Sequence, residues 1–267
     1  MKLHFSLADL QAVAIVAAVA IVAVWERFRP SLSKRPHVKS RWTANIGLYA
    51  LNSVLILTPA AYLVDDILKQ HLPPNQLIPL PTGVVGYLLL VGWFLIFDFS
   101  SYFLHRAFHK IPILYRLHCA HHSDNDVDLT TAFRRHPAEF LVNSSVACAI
   151  GLTIGAPIEA VGAYGIVAIV LQIWHHGKLT LPPTFDRIAG LVFVTPSMHR
   201  LHHSIDIAVA SSNYGTVLSV WDRLFATKLQ GSEPPRFGVT GLEGQDDQRL
   251  DKVLLSPILV DPCRGIS

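Results

Sequence analysis

VVGYLLLVGWFLIFDFSSYFL runs from Val84 to Leu104 and passes without a break into His105-Arg106-Ala107-Phe108-His109. Nine residues further on stands His118-Cys119-Ala120-His121-His122. The apolar run is long enough for one helical crossing of a hydrocarbon core about 30 Å thick, which takes roughly 20 residues. The histidines that follow therefore emerge at one membrane face. Residues three and four apart share a helix face, so each short motif is expected to aim its imidazoles in one direction.

Working outward from this stretch, apolar runs at Leu10–Trp25 and Trp42–Val64 read as two earlier spans. The longer run Phe140–Trp174 is interrupted by Gly151, Gly155, Ala156 and Pro157. Proline after small residues ends or kinks a helix. Two short helices are thus predicted, Ala138–Ile154 and Ile158–His175, forming a hairpin that enters the membrane and returns. Arg27, Arg29, Lys34, Arg35, Lys39 and Arg41 crowd the first loop, whereas Asp65, Asp66 and a single Lys69 occupy the second. The positive-inside rule places the first loop in the cytoplasm, and the histidine motifs then collect on that side. After Gly177 no further span is read, which leaves a cytosolic segment.

Composition agrees with this reading. Of 267 residues, 51% are hydrophobic and only 15% charged, against about 25% charged in soluble domains. Mean hydropathy is +0.39. A net charge of +3 is too small to argue for nucleic acid. Three cysteines (Cys119, Cys148 and Cys263) form no CxxC pair and no disulfide framework. No linker divides the chain, so one structural domain is expected, with membrane helices and a basic loop in 1–82, the histidine region in 83–230 and a cytosolic tail in 231–267.

Eleven of the 14 histidines lie between His105 and His203. His105 and His109 form an HxxxH; His118, His121 and His122, and again His199, His202 and His203, form two HxxHH motifs. His136 precedes the hairpin and His176 follows it, which gives ten candidate ligands; His176 is preferred over its neighbour His175. Packed imidazoles without a metal would repel if charged and waste hydrogen bonds if neutral. A structural zinc needs four ligands, so ten imply two metals. Attack on an unactivated C–H bond by dioxygen needs a redox metal, which points to two iron ions. Metal-bound histidines are oriented by partners on their other nitrogen. Asp98, Tyr102, His105 and His109 share one helical stripe, so Asp98 and Tyr102 are candidates for that role, as is Glu139. Asp124, Asp126 and Asp128 read as a solvated loop.

At this point the residues resemble the fatty acid hydroxylase/sterol desaturase superfamily, from about Trp42 to Pro257. Asp98, Tyr102, His105-Arg106 and His109 look like its first histidine box; HCAHHS looks like the second, and RRHPAE like its HPxE segment. TPSMHRLHHS, Asn213-Tyr214-Gly215 and WDRLFAT look like the last box and its trailing signature. Two positions depart from the pattern. Lys178 stands where members often have asparagine, which puts the support of His176 in question. Ala226 stands where many have glycine, which looks minor.

The resemblance implies an all-α integral membrane helical bundle with a cytosolic helical cap carrying a histidine-rich di-metal site. It further implies hydroxylation or desaturation of a lipid such as a sterol or fatty acyl chain, with O2 as cosubstrate. Substrate is expected laterally from the bilayer, and electrons from an external ferredoxin or cytochrome-type donor. The rival class is a membrane metal-binding or transport protein, which would place its ligands near the bilayer midplane on facing spans.

Overall fold

A computed structural model describes residues 7–28, 38–59, 83–231, 234 and 236–259. Eleven α-helices are described: α1 (Leu7–Phe28), α2 (Val38–Asn52), α3 (Gly83–Lys110), α4 (Pro112–His122), α5 (Pro137–Thr153), α6 (Ile158–His176), α7 (Pro183–Ala189), α8 (Pro196–His202), α9 (Ile207–Ala210), α10 (Val220–Leu224) and α11 (Leu250–Leu259). Among the described residues there is no β-strand, only two isolated bridges.

Among the described residues three helices are long and apolar enough to cross a membrane: Asp9–Phe28, Gly83–Lys110 and Ile158–His176. Their outward faces carry large bare side chains, such as Val16 on α1 and Val84 and Tyr87 on α3, as a lipid-facing surface does. The predicted hairpin is present as α5 and α6, turning at Gly155 with φ +64°. At 17 residues, α5 is about 26 Å long, slightly less than a bilayer core. The second apolar run departs from a plain helix: α2 gives way to one π-helical turn at Ser53–Leu57, and residues 60–64 lie outside the described part. So do Arg29, Lys34, Arg35, Asp65, Asp66 and Lys69.

α1 packs on α6 through Ile15, Ala18 and Val22 against Ile173, Leu179, Leu129 and Ala132. Trp93 and Phe97 of α3 pack with Ala160 of α6. Ala44 and Leu48 of α2 meet Ala120 of α4 and Val253 of α11. The helix ends that carry the histidine motifs are thereby drawn to one place.

The loop between α4 and α5 is not solvated. Asp124, Asp126 and Asp128 are fully buried, because Arg41 reaches all three: its guanidinium bonds the Asp124 carboxylate, the Asp126 carbonyl and, at 3.3 Å, the Asp128 carboxylate. Lys178 is buried as well and donates to Asp126 at 2.8 and 3.0 Å. The lysine that departs from the family pattern thus has a buried carboxylate partner. Arg134, also fully buried, donates to the Ala120 carbonyl, Asn45 Oδ1 and Ser123 Oγ.

Ala226 is held at φ +54°. This left-handed region costs an L-residue about 1–2 kcal/mol, whereas glycine enters it freely at an unfolded-state cost of about 0.5–1 kcal/mol. The departure at this position therefore carries backbone strain and is not minor. Ala226→Gly is expected to stabilise by about 0.5–1 kcal/mol, seen as a higher thermal midpoint in detergent; an unchanged or lower midpoint would contradict the strain.

Candidate metal centre

Nine imidazoles converge where the ends of α3, α4, α6 and α8 meet. They fall into two groups, His105, His109, His118, His122 and His202, and His121, His176, His199 and His203, with the ligand atoms of each group within 4.8 Å of one another. The groups adjoin: the His122 and His203 rings stack with centroids 4.5 Å apart.

Each HxxHH motif splits its rings, contrary to the single direction expected. On a helix the fourth residue after a given one lies about 40° ahead and the third about 60° behind. His118 and His122 accordingly serve the first group while His121 turns to the second; His199 and His203 serve the second while His202 turns to the first. Two short helices thus contribute to both groups.

The hydrogen bonds on the outer nitrogens show what the inner ones need. Nδ1 of His105 donates to the Tyr214 carbonyl at 2.8 Å, His121 to Arg134 at 3.0 Å, His176 to Gln172 at 2.7 Å and His202 to Ser212 at 2.7 Å. His118 Nδ1 donates to Glu139 Oε1 at 3.0 Å. A carbonyl or carboxylate can only accept, so Nδ1 carries the proton and Nε2 presents a bare lone pair. Yet His105 and His202 Nε2 stand 2.9 Å apart, His105 and His118 3.1 Å, and His121 and His176 3.2 Å. Two bare lone pairs cannot hydrogen-bond to each other. Two nitrogens each about 2.1 Å from one ion and at right angles stand about 3.0 Å apart, which is the spacing found. The donor set fits a pair of transition-metal ions held by neutral imidazoles.

Electrostatics point the same way. Burial, followed by neighbouring histidines, holds His118, His121, His122, His199 and His203 well below the ordinary imidazole range, and burial lowers His202 to about 4. In the unfolded chain these rings titrate near 6.5. Depressed folded values mean that stability is present above about pH 6.5 and is lost as pH falls toward about 4. Metal-stripped protein is expected to melt at a lower temperature at pH 5.5 than at pH 7.5; equal midpoints would contradict this burial of neutral rings.

Not every candidate joins the cluster. His136 caps α5: its Nδ1 accepts from Ala138 N at 3.1 Å and its Nε2 faces the Leu254 carbonyl at 3.3 Å. Both nitrogens are used, so it stays apart from both groups. His175 lies against His199 with ring centroids 4.0 Å apart and planes tilted by 43° but belongs to neither group. Asp98 bonds no histidine. It lies about 10 Å along α3 from His105 and accepts from Val217 N, Leu218 N, Trp221 Nε1 and Tyr164 OH. Tyr102 OH pairs with Thr227 Oγ1 at 2.8 Å, not with a ring. Glu139 does touch a ligand, through His118.

Asp222 was not singled out from the sequence, although it lies in the quoted WDRLFAT. It accepts from Tyr214 N at 2.7 Å, Gly215 N at 2.9 Å and Thr227 Oγ1 at 2.7 Å, fixing the carbonyl that holds His105. A Cβ on Gly215 would come within 2.9 Å of Asp222 Oδ2 and 2.8 Å of the Leu218 carbonyl, so the tight turn requires glycine. Asn213 clips the same turn to the Met198 carbonyl and Leu229.

The sequence model of the fatty acid hydroxylase family matches residues 90–227, just over half of the chain, and takes in both groups and this turn. The chain belongs to the fatty acid hydroxylase family. Among curated relatives, the alkylglycerol monooxygenase of Xenopus tropicalis is 31% identical over 153 residues, covering 55% of this chain and 33% of that protein. The human alkylglycerol monooxygenase is 31% identical over 149 residues, with coverage of 55% and 32%. The ornithine lipid hydroxylase OlsE of Rhizobium tropici is 30% identical over 152 residues, with coverage of 54% and 43%. The matched part of this chain thus spans about a third of the alkylglycerol monooxygenases. No solved structure matches.

A cavity of about 270 Å³ reaches the first group of this family member, touching His109 and His122. Its other walls come from Tyr115, from 204–211, from 238–242 and from Leu259. None of these belongs to the apolar part of α3 or to α6, so this cavity opens among the segments behind the third motif.

Proposed function

We propose that this chain is a membrane-bound oxygenase that uses two iron ions and O2 to hydroxylate a lipid, desaturation being the variant outcome at the same centre, with the centre at the cytoplasmic face. The observation that carries the reading is the set of bare Nε2 pairs 2.9–3.2 Å apart, which only shared cations reconcile. Nine nitrogen donors, without a sulfur or carboxylate in either group, exceed what structural zinc takes up. Bound iron supplies the redox chemistry that couples dioxygen reduction to oxidation of a C–H bond.

The chain's own residues hold and orient. Five main-chain or carboxylate acceptors fix ring tautomers, burial keeps eight of the nine ligands from water, and the cavity beside His109 and His122 gives access for O2 or a slender chain. Electrons are supplied by a ferredoxin or cytochrome-type donor. The relatives make alkylglycerols and ornithine lipids the first substrates to test, ahead of sterols and fatty acyl chains. Iron-loaded protein with a reductant and such a lipid under 18O2 is expected to consume the gas and place one 18O atom in the hydroxylated product, read by mass spectrometry. Full activity in a His121→Ala, His202→Ala double variant would refute the assignment.

A further inference from the structure

We infer that part of the region beyond the spans is itself sunk into the bilayer: α7 with the turn after it, and α10, form a lipid-inserted ledge beside the inner end of α3. Phe185, Ile188, Leu191 and Val192 on the first segment, and Val220 and Leu224 on the second, are 36–66% exposed. For a surface in water, so many bare large apolar groups from two adjoining segments would be unusual.

The two segments form one unit. Phe193 and Leu218 pair in an antiparallel bridge, Val194 N donates to the Val217 carbonyl at 3.0 Å and Ser219 N to the Val192 carbonyl at 2.9 Å. Arg223 bonds the Leu191 carbonyl. Non-helical backbone survives at membrane depth only if its polar groups are satisfied within the protein, and here the amides of Leu191, Val192, Phe193 and Val194 and the carbonyls of Leu191 and Val192 all have partners in the chain.

Depth follows from Asp98. This residue lies inside the apolar run Val84–Leu104, six residues and therefore roughly 9 Å before its end. Its buried carboxylate binds Val217 N and Leu218 N, both at 3.1 Å, and Trp221 Nε1 at 2.8 Å, which pins the ledge at that level of α3. Interfacial segments sink about 5–10 Å, so the depth is of the right size. The apolar surface is also continuous with the span: Phe99 meets Trp221 with ring centroids 5.1 Å apart and Phe103 meets Phe225 at 4.9 Å, while Phe99 and Phe103 are themselves 38% exposed. Arg187 and Arg223 are exposed, and Lys228 bonds the Gly190 carbonyl. These cations suit anionic headgroups above the ledge. Asp98 thus does for the bilayer contact what the sequence had assigned it for a metal ligand, and α8 with the third motif begins two residues after the ledge.

The test reads depth directly. Leu191→Cys and Leu224→Cys are made separately in the full chain with Cys148→Ala and Cys263→Ala, labelled with a small fluorophore and reconstituted in mixed phosphatidylcholine–phosphatidylglycerol vesicles. Retained metal content confirms the fold. Quenching by lipid carrying a nitroxide near the glycerol end of the acyl chain is expected to be several-fold stronger than for a label at Gln245→Cys, with little quenching by aqueous iodide. Strong iodide quenching at both ledge positions would overturn the inference. Protection from both quenchers would overturn it too, since the face would then be covered by protein.

Discussion

Arg41→Ala is expected to destabilise the protein by about 3–5 kcal/mol, enough to prevent recovery of folded chain from detergent extracts at 37 °C. Arg41 is fully buried and is the common partner of Asp124, Asp126 and Asp128. Removing it strands buried carboxylates that have no route to water. Lys178 and Arg134 cannot replace it: the lysine reaches Asp126, and the arginine is committed to Ala120, Asn45 and Ser123. Arg41→Lys is expected to fail as well, because one ammonium cannot span Asp124, the Asp126 carbonyl and Asp128 as the planar guanidinium does. The damage should reach the second metal group, since Arg134, packed into the same network, offers the carbonyl that holds His121. Thermal midpoints within 1 °C of the parent for Arg41→Ala would contradict this account of the loop.

Glu139→Ala is expected to weaken metal binding by about 10–100-fold while leaving the helices intact. The Glu139 carboxylate accepts from His118 Nδ1 at 3.0 Å, so its loss leaves that ring free to turn its proton toward the metal side. Arg135 stands 3.8 Å from the same carboxylate and is otherwise tied to Gln172 Oε1 at 2.7 Å. Glu139→Gln keeps the shape and one acceptor but drops the charge, and should fall between parent and alanine variant. The measurement is competitive titration with a chelator of known affinity, together with circular dichroism to show unchanged helix content. Equal affinity in all three proteins would show that His118 does not depend on Glu139.

The helical hairpin was legible because Gly155, Ala156 and Pro157 interrupt an otherwise continuous apolar run, and local chemistry decides where a helix stops. The three histidine motifs were legible for a similar reason: their spacing is that of a helix surface. Which ring joins which group was not read from the same spacing, although the 100° between His121 and His122 contains it. His136 misled because an HPxE segment puts a histidine at a helix N-terminus, where Ala138 N competes for its Nδ1. Asp98 misled because a shared stripe fixes direction but not depth, and two turns of helix separate it from the nearest ring.

The aspartates of 124–128 look like a polar loop in isolation. Their partner Arg41 lies more than 80 residues away, and no local pattern announces it. Most of the atoms that fix the tautomers are main-chain carbonyls, at Tyr214, Arg134, Gln172 and Ser212, which every residue possesses. Asp222 had a signal within the family signature, but its role depends on a turn at Gly215 that only coordinates reveal.

The geometry calls for two metal ions among nine imidazole nitrogens. Elemental analysis with X-ray absorption at the metal edge, on protein reconstituted with iron under anaerobic conditions, tests it most directly. Two ions per chain, each in a nitrogen- and oxygen-only shell with imidazole scattering, is the predicted result. One ion or none per chain, or a shell containing sulfur, would contradict it.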